Sequence, residues 1–372
     1  MEHGAEVLWE TEAWDTVQND DGSIAAVIGK AADDTFVKVN CKACILATGG
    51  FGSNPEMLND LMCDMAGTIV ESESLSGMMD GDGRGLQMGY WAGGHLETWP
   101  IPGMNFRHVS PAMSSQSTQP QAVWLDSDCQ RFCNEYYPVI EQRGRATLFK
   151  PRKPYYVVFD DNFDEYSTYF IPQHGAFNPT QANVDDLRAK MDKAYAVYKG
   201  EPVEEEEQGG MGGPMMSSAT ILAADTIEEL AASLGLDNEH VATFAASIQR
   251  YNEMCAAGRD DDFGRFAEVL FSVEQGPFYA VEANVTAGST MCTLGGLLTD
   301  GEQNVVDKDY EPIPGLYATG NTCGRRYGSE YITPIFGISL AMAIVLGREC
   351  GRSVATWLDG EVEKGAYVKV GA

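Results

Sequence analysis

Long apolar runs, cationic charge, paired cysteine motifs and a nucleotide-binding glycine loop are all scarce or missing in this chain. No run of apolar residues is long enough to cross a bilayer, so a membrane-spanning helix is not encoded. Lysine and arginine number 25 against 55 aspartates and glutamates, a formal net charge of -30. That balance argues against nucleic acid or an anionic membrane as a partner, and against long-range steering of a dianionic substrate, although a local arginine pocket can override it. The nine cysteines are odd in number and scattered, which excludes the framework of a small secreted disulfide domain. Cys41 and Cys44 form one Cys-x-x-Cys, but no second pair or nearby histidine completes a zinc site. They read as buried thiols in an apolar strand. No Cys-x-x-Cys-His attaches a c-type haem, and no secretory or twin-arginine signal opens the sequence. Nor is there a Gly-x-Gly-x-x-Gly, the tight turn that seats a dinucleotide pyrophosphate on a helix N-terminus.

What is present suffices for two domains. The chain has 372 residues, 44% of them hydrophobic, enough to bury a sizeable core. Its first 48 residues read as short strands. One is expected to begin at Val7, Leu8 and Trp9. Asn19-Asp20-Asp21-Gly22 is a hairpin turn before Ile24 to Ile28, and Phe36-Val37-Lys38-Val39 leads on to Cys44-Ile45-Leu46-Ala47. That last run ends at Thr48-Gly49-Gly50, where glycines let backbone approach a ligand closely. Residues 315–351 carry the second such unit. Leu316-Tyr317-Ala318 is a buried strand running into a turn at Thr319-Gly320-Asn321. A polar loop with Arg325, Arg326, Tyr327 and Tyr331 follows. The apolar residues from Leu340 to Leu346, bounded by Gly337 and Gly347, predict a short helix buried on every side. Its N-terminal N–H groups would suit an anionic group.

These motifs resemble those of a flavoprotein family that comprises fumarate reductase, succinate dehydrogenase flavoprotein and 3-ketosteroid dehydrogenase. Thr48-Gly49-Gly50-Phe51-Gly52 is similar to the family's run against FAD. Ala318-Thr319-Gly320-Asn321 and Gly347-Arg348 are similar to its closing signature. Gly81-Asp82-Gly83 matches a family Gly-Asp-Gly in which the aspartate lies near the cofactor, and Asp82 reads equally well as a helix cap. Residues 99–280 have a different texture. Arg131-Phe132-Cys133-Asn134-Glu135, Arg250-Tyr251-Asn252, Asp262-Phe263-Gly264 and Gly276-Pro277-Phe278 match the family's capping domain. Within this region Thr226-x-x-Glu229 is a capping box. Val241, Phe244, Ala245, Ile248, Tyr251 and Asn252 share one helical face, and residues 204–216 read as a solvated low-complexity loop.

The resemblance implies an α/β (α+β) architecture: a discontinuous FAD-binding domain over residues 1–98 and 281–372, with a capping domain over 99–280. The FAD domain is expected to be incomplete, because the chain begins at what corresponds to its middle. A shortened gene, a separate front chain or a fragment would each account for that, and any export signal would lie upstream. The resemblance places FAD against Ala47, Thr48, Gly49, Gly50, Asp82, Gly320, Asn321, Ser339 and Leu340. It implies hydride transfer between the flavin and a carbon–carbon bond next to a carbonyl, which needs a polarising group and a proton donor.

Three substitutions argue against fumarate. The proton-donor arginine of fumarate reductases falls at Val139, a carboxylate-binding histidine at Cys292, and a carboxylate-binding arginine at about Pro334. Tyr331-Ile332-Thr333-Pro334 resembles the ketosteroid dehydrogenase run in which the tyrosine polarises the keto group. Tyr331, Arg326 and Arg325 are therefore the catalytic candidates. Arg325 and Arg326 read equally well as surface or salt-bridged side chains, and the lone His108 as structural. The expected partner is a small unsaturated substrate, with no metal and no electron donor named. A flavin-free binding module is the competing reading, on the strength of the missing phosphate loop.

Overall fold

A computed structural model of the chain describes residues 5–62, 81–98, 101, 106–109, 122–136, 155–169, 179–203, 221–287, 293–328, 332, 335 and 337–359. The first sheet is an antiparallel meander of β1 (Thr11–Gln18), β2 (Ile24–Ala31) and β3 (Phe36–Asn40). Gly22, at a φ of 82°, closes the first hairpin as its Asn-x-x-Gly run predicts. Val7, Leu8 and Trp9 do not begin a strand. They lie exposed ahead of Thr11, because apolar residues alone make no strand where no neighbour pairs with them.

The second sheet joins distant parts of the chain. β4 (Cys44–Leu46) runs parallel to β11 (Pro312–Ala318), with Leu316 opposite Cys44 and Ala318 opposite Leu46. The short β10 (Asn304–Val306) pairs with the other edge of β11. Helix α1 (Pro55–Leu61) is capped by Asn54, whose side chain accepts the Met57 N–H. Helix α2 (Arg84–Trp91) buries Met88 against the sheet and Leu86 in a second core with Phe51 and Leu58. Leu46, Met88, Leu297, Val305, Leu316 and Ala318 form the shared core. Cys41 and Cys44 are free and half-buried at its margin. Burial pushes the Cys44 thiol up to about 12, which disfavours its thiolate. Among the described residues no cluster of histidine, cysteine or carboxylate could hold a metal, and no helix is long and apolar enough to cross a membrane.

The third sheet is ordered β5 (Phe106–Val109), β9 (Phe278–Ala287), β7 (Tyr155–Phe159), β6 (Val123–Leu125), with β8 (Leu222–Ala224) also on β9. Helices α3 (Phe163–Ser167), α4 (Gln181–Tyr198), α5 (Ile227–Ser233) and α6 (Asn238–Ala257) cover it. Thr226 caps α5 by accepting the Glu229 N–H at 3.1 Å. The Glu229 carboxylate takes the Tyr198 hydroxyl instead, so only half of the expected reciprocal box forms. Phe244, Ile248 and Tyr251 are the buried face of α6, at the predicted spacing.

Two of the matched motifs meet here. Arg131 makes paired hydrogen bonds to both Glu135 and Asp260, at 2.7–2.9 Å. Arg250 pairs with Asp262. Asn252 closes both its amide groups on the backbone of Val273. The low-complexity run 204–216 and the side chain of His108 lie outside the described residues.

Helix α7 (Ile338–Asp359) corrects two expectations. It does not stop at Gly347, because one interior glycine costs only about 1 kcal/mol and the next three turns are amphipathic. Nor is it buried all round: Leu340, Ile344 and Val345 are 68%, 64% and 57% exposed. Its other side packs on β11 and on the turn after it. A helix apolar on every face needs neighbours on every face, and among the described residues this one has them on a single side.

Candidate functional site

The site forms where β4 and β11 end side by side. The loop after β4 and the 3₁₀ turn Gly320–Thr322 after β11 are clasped by one hydroxyl. Thr322 Oγ1 accepts the Thr48 N–H at 2.9 Å and donates to Gly49 O at 3.0 Å. Thr319 N donates to Leu46 O at 3.0 Å. A third segment locks on beside them. Thr293 Oγ1 accepts the Phe51 N–H at 2.9 Å, and Leu297 N donates to Thr322 O at 2.9 Å. Neither Thr322 nor Thr293 stands out in the sequence, since the hydroxyl of each acts on a partner more than two hundred residues away. Thr322→Val should cost about 1–3 kcal/mol, because it strands a donor and an acceptor. A lower urea midpoint checks this, with Thr322→Ser losing less. An unchanged midpoint would show that the hydroxyl does not hold the loops.

Gly81-Asp82-Gly83 packs on the same loop. A side chain at Gly81 would meet Gly50 O at 2.7 Å and Thr48 O at 2.9 Å, so glycine is required for this approach. Gly83 N donates to Gly50 O at 3.1 Å. The Asp82 carboxylate accepts the Arg84 N–H at 2.9 Å and is exposed. Asp82 therefore closes a turn ahead of α2 and is not the expected helix cap, because Gly83 is the N-cap and no side chain caps it.

The first turn of α7, with Ser339 and Leu340, enters from the other side. Ile338 and Met342 pack on Leu294 and Tyr327. The four first N–H groups of a helix have no intrahelical acceptor and carry the positive end of its dipole. The structure thus brings together Ala47, Thr48, Gly49, Gly50, Gly320 and Asn321, with Ser339 and Leu340 opening the helix packed against that turn.

The two arginines part company. Arg325 is exposed, with its guanidinium 6.0 Å from the Tyr310 ring. Arg326 turns inward, with Nε donating to Cys323 O at 2.9 Å. Glu97, which no sequence motif marks, is buried beside them. Burial raises its carboxyl above the usual range, against the opposing pull of the Arg325 N–H and of both arginines. Tyr331, Val139, Cys292 and Pro334 lie outside the described residues.

The model of the FAD binding domain family matches residues 1–339. The chain belongs to this FAD-binding family. It is 30% identical over 368 residues to the vinyl phenol reductase of Lactiplantibacillus plantarum, covering 95% of this chain and 69% of that protein. It is 27% identical over 356 residues to the NADH:acrylate oxidoreductase of Vibrio harveyi, covering 90% of this chain and 30% of that one. It spans about half the length of several further curated relatives. Its fold is shared with the 3-ketosteroid-Δ4-(5α)-dehydrogenase of Rhodococcus jostii RHA1. That match has a TM-score of 0.65 and 21% identity, over 95% of this chain and 60% of the other. The family and the α+β fold implied by the motifs are therefore correct, and FAD is the cofactor this family binds.

The clasped loops fit that cofactor. Gly49, at a φ of 85°, presents backbone rather than a side chain, Gly81 leaves room for nothing but backbone against Gly50 and Thr48, and α7 packs on the turn that Thr322 clasps to this loop.

Proposed function

We propose that this chain forms the flavin-end and substrate-capping parts of an FAD-dependent oxidoreductase acting on a carbon–carbon bond next to a carbonyl. The clasp carries the reading: Thr48-Gly49 and Gly320–Thr322 are joined by the Thr322 hydroxyl, and α7 packs on that turn. Residues 47–50, Asp82, Gly320, Asn321, Ser339 and Leu340 would hold the flavin, and FAD would supply hydride transfer there. The first-turn N–H groups of α7 favour negative charge at that end. Tyr331, Arg326 and Arg325 are assigned to the substrate, with Tyr331 donating a hydrogen bond to its carbonyl oxygen and an arginine holding charge that develops on that oxygen. Residues 1–98 with 281–372 form the cofactor domain and 99–280 the cap. The parallel pairing of β4 with β11 supports that division.

The substrate is a small conjugated compound other than fumarate, a reading in keeping with relatives named for a vinyl phenol and for acrylate. In a flavin-loaded form given a reduced viologen, fumarate should turn over at least about 100-fold more slowly than a mono-enoate. Two missing charge-assisted contacts at roughly 1.5–3 kcal/mol each account for that gap. Fumarate turnover matching that of other enoates would refute the substrate assignment. Failure to load flavin even with a pyrophosphate-binding segment supplied would favour the flavin-free module.

A further inference from the structure

Arg326 has an unmet requirement. Its Nε is fixed on Cys323 O, and its plane lies against Tyr327, with the guanidinium carbon 5.1 Å from the ring centre. Both terminal nitrogens are buried and make no hydrogen bond. A buried, charged fork without an acceptor is costly, and its two parallel N–H groups match a carboxylate.

The turn that presents this fork is also held in an unusual state. Arg325 has a φ of 53°, the left-handed region that residues with a Cβ avoid. Its N–H donates to Glu97 Oε2 at 2.8 Å. Glu97 is only 7% exposed and is itself anchored, its N–H on Gly296 O at 2.8 Å. A side chain at Gly324 would meet Glu97 Oε2 at 2.8 Å, so the carboxylate fills the space against the turn.

We propose that Glu97 is a positioning residue that clamps the 323–326 turn, and that the Arg326 fork so presented binds the single carboxylate of an unsaturated monocarboxylate substrate. One carboxylate is inferred because Arg325, the other cation of the turn, is exposed beside Tyr310, and a net charge of -30 disfavours a dianion. Glu97 does not satisfy the fork: its Oε2 takes the Arg325 N–H, and neither terminal nitrogen of Arg326 bonds to it. The inference rests on the oxidoreductase reading only for calling the ligand a substrate; binding itself needs no flavin.

The test titrates residues 1–372 with propionate, propionamide and inorganic phosphate, followed by calorimetry and saturation-transfer NMR. Propionate should bind better than the other two, and Arg326→Gln should weaken it about tenfold or more. Glu97→Ala should weaken it similarly, whereas Glu97→Gln, which keeps an oxygen for the Arg325 N–H, should recover most of the affinity. If Glu97→Ala does not fold, it is made in Arg325→Gly, where glycine takes the left-handed turn without strain, and compared with Arg325→Gly alone. Equal binding of propionamide, preference for phosphate, unchanged affinity in Arg326→Gln, or no rescue by Glu97→Gln would each overturn the proposal. Mono-enoate turnover with unchanged kcat/KM in flavin-loaded Arg326→Gln would overturn it while leaving the oxidoreductase reading intact.

Discussion

Residues 1–372 purified by themselves should emerge nearly colourless, holding FAD between about a hundredfold and ten-thousandfold more weakly than when a Gly-x-Gly-x-x-Gly strand–turn–helix unit is supplied ahead of Met1 or as a separate polypeptide. The flavin end has its loops, clasped through Thr322. The pyrophosphate has no glycine cradle anywhere in the sequence. That cradle neutralises a dianion with N–H groups at a helix terminus. Losing two charge-assisted hydrogen bonds at roughly 1.5–3 kcal/mol each gives the stated range. Flavin absorbance after gel filtration and a fluorescence titration measure it. Tight, stoichiometric FAD on residues 1–372 alone would show that these loops suffice.

Arg131→Met should destabilise the chain by about 3–5 kcal/mol, because it leaves two buried carboxylates without their shared cation. Arg131 holds Glu135 and Asp260 through paired bonds, and the side chains of all three are almost wholly inaccessible. Arg265, also buried, lies 3.5 Å from Glu135, and its backbone N–H donates to Asp260 at 3.0 Å. Burial opposes the Asp260 charge, and the Arg131 guanidinium outweighs it, holding that carboxyl at about 2. A depressed carboxylate pKa stabilises the fold above its unfolded value near 3.9, and the contribution fades as pH falls toward 2. The mutant's deficit in urea midpoint should therefore be full at pH 7 and shrink below about pH 4. A deficit that stays constant down to pH 2 would mean that lost packing, rather than charge, is responsible.

Local chemistry was legible in the sequence. The Gly22 hairpin, the Thr226 cap, the α6 face and the turns that end β4 and β11 follow from turn residues, capping oxygens and apolar spacing, which act over a few residues. The motifs also identified the family, because backbone close to a ligand tolerates few residue types, as Gly81 shows against Gly50 O. Where periodicity was read without knowledge of neighbours, it failed: Val7 to Trp9 pair with nothing described, and the exposed face of α7 has no described element against it. Burial is a property of two surfaces, and a sequence window contains only one of them.

What only the tertiary structure decided is which polar groups meet. Thr322 reaches Thr48 across 274 positions, and Glu97 reaches Arg325 across 228. No local pattern marks either, since a hydroxyl or a carboxylate reads the same whether solvated or buried. Arg325 and Arg326 are adjacent and chemically identical, yet one is exposed and the other presents a buried, unpaired fork. Their separation comes from a single left-handed residue held by a distant carboxylate. The sequence by itself determined that this is an FAD-family chain with two glycine-edged strand ends; the long-range hydrogen bonds, which close only when those ends are folded side by side, decided which of its charges are exposed and which are buried without a partner.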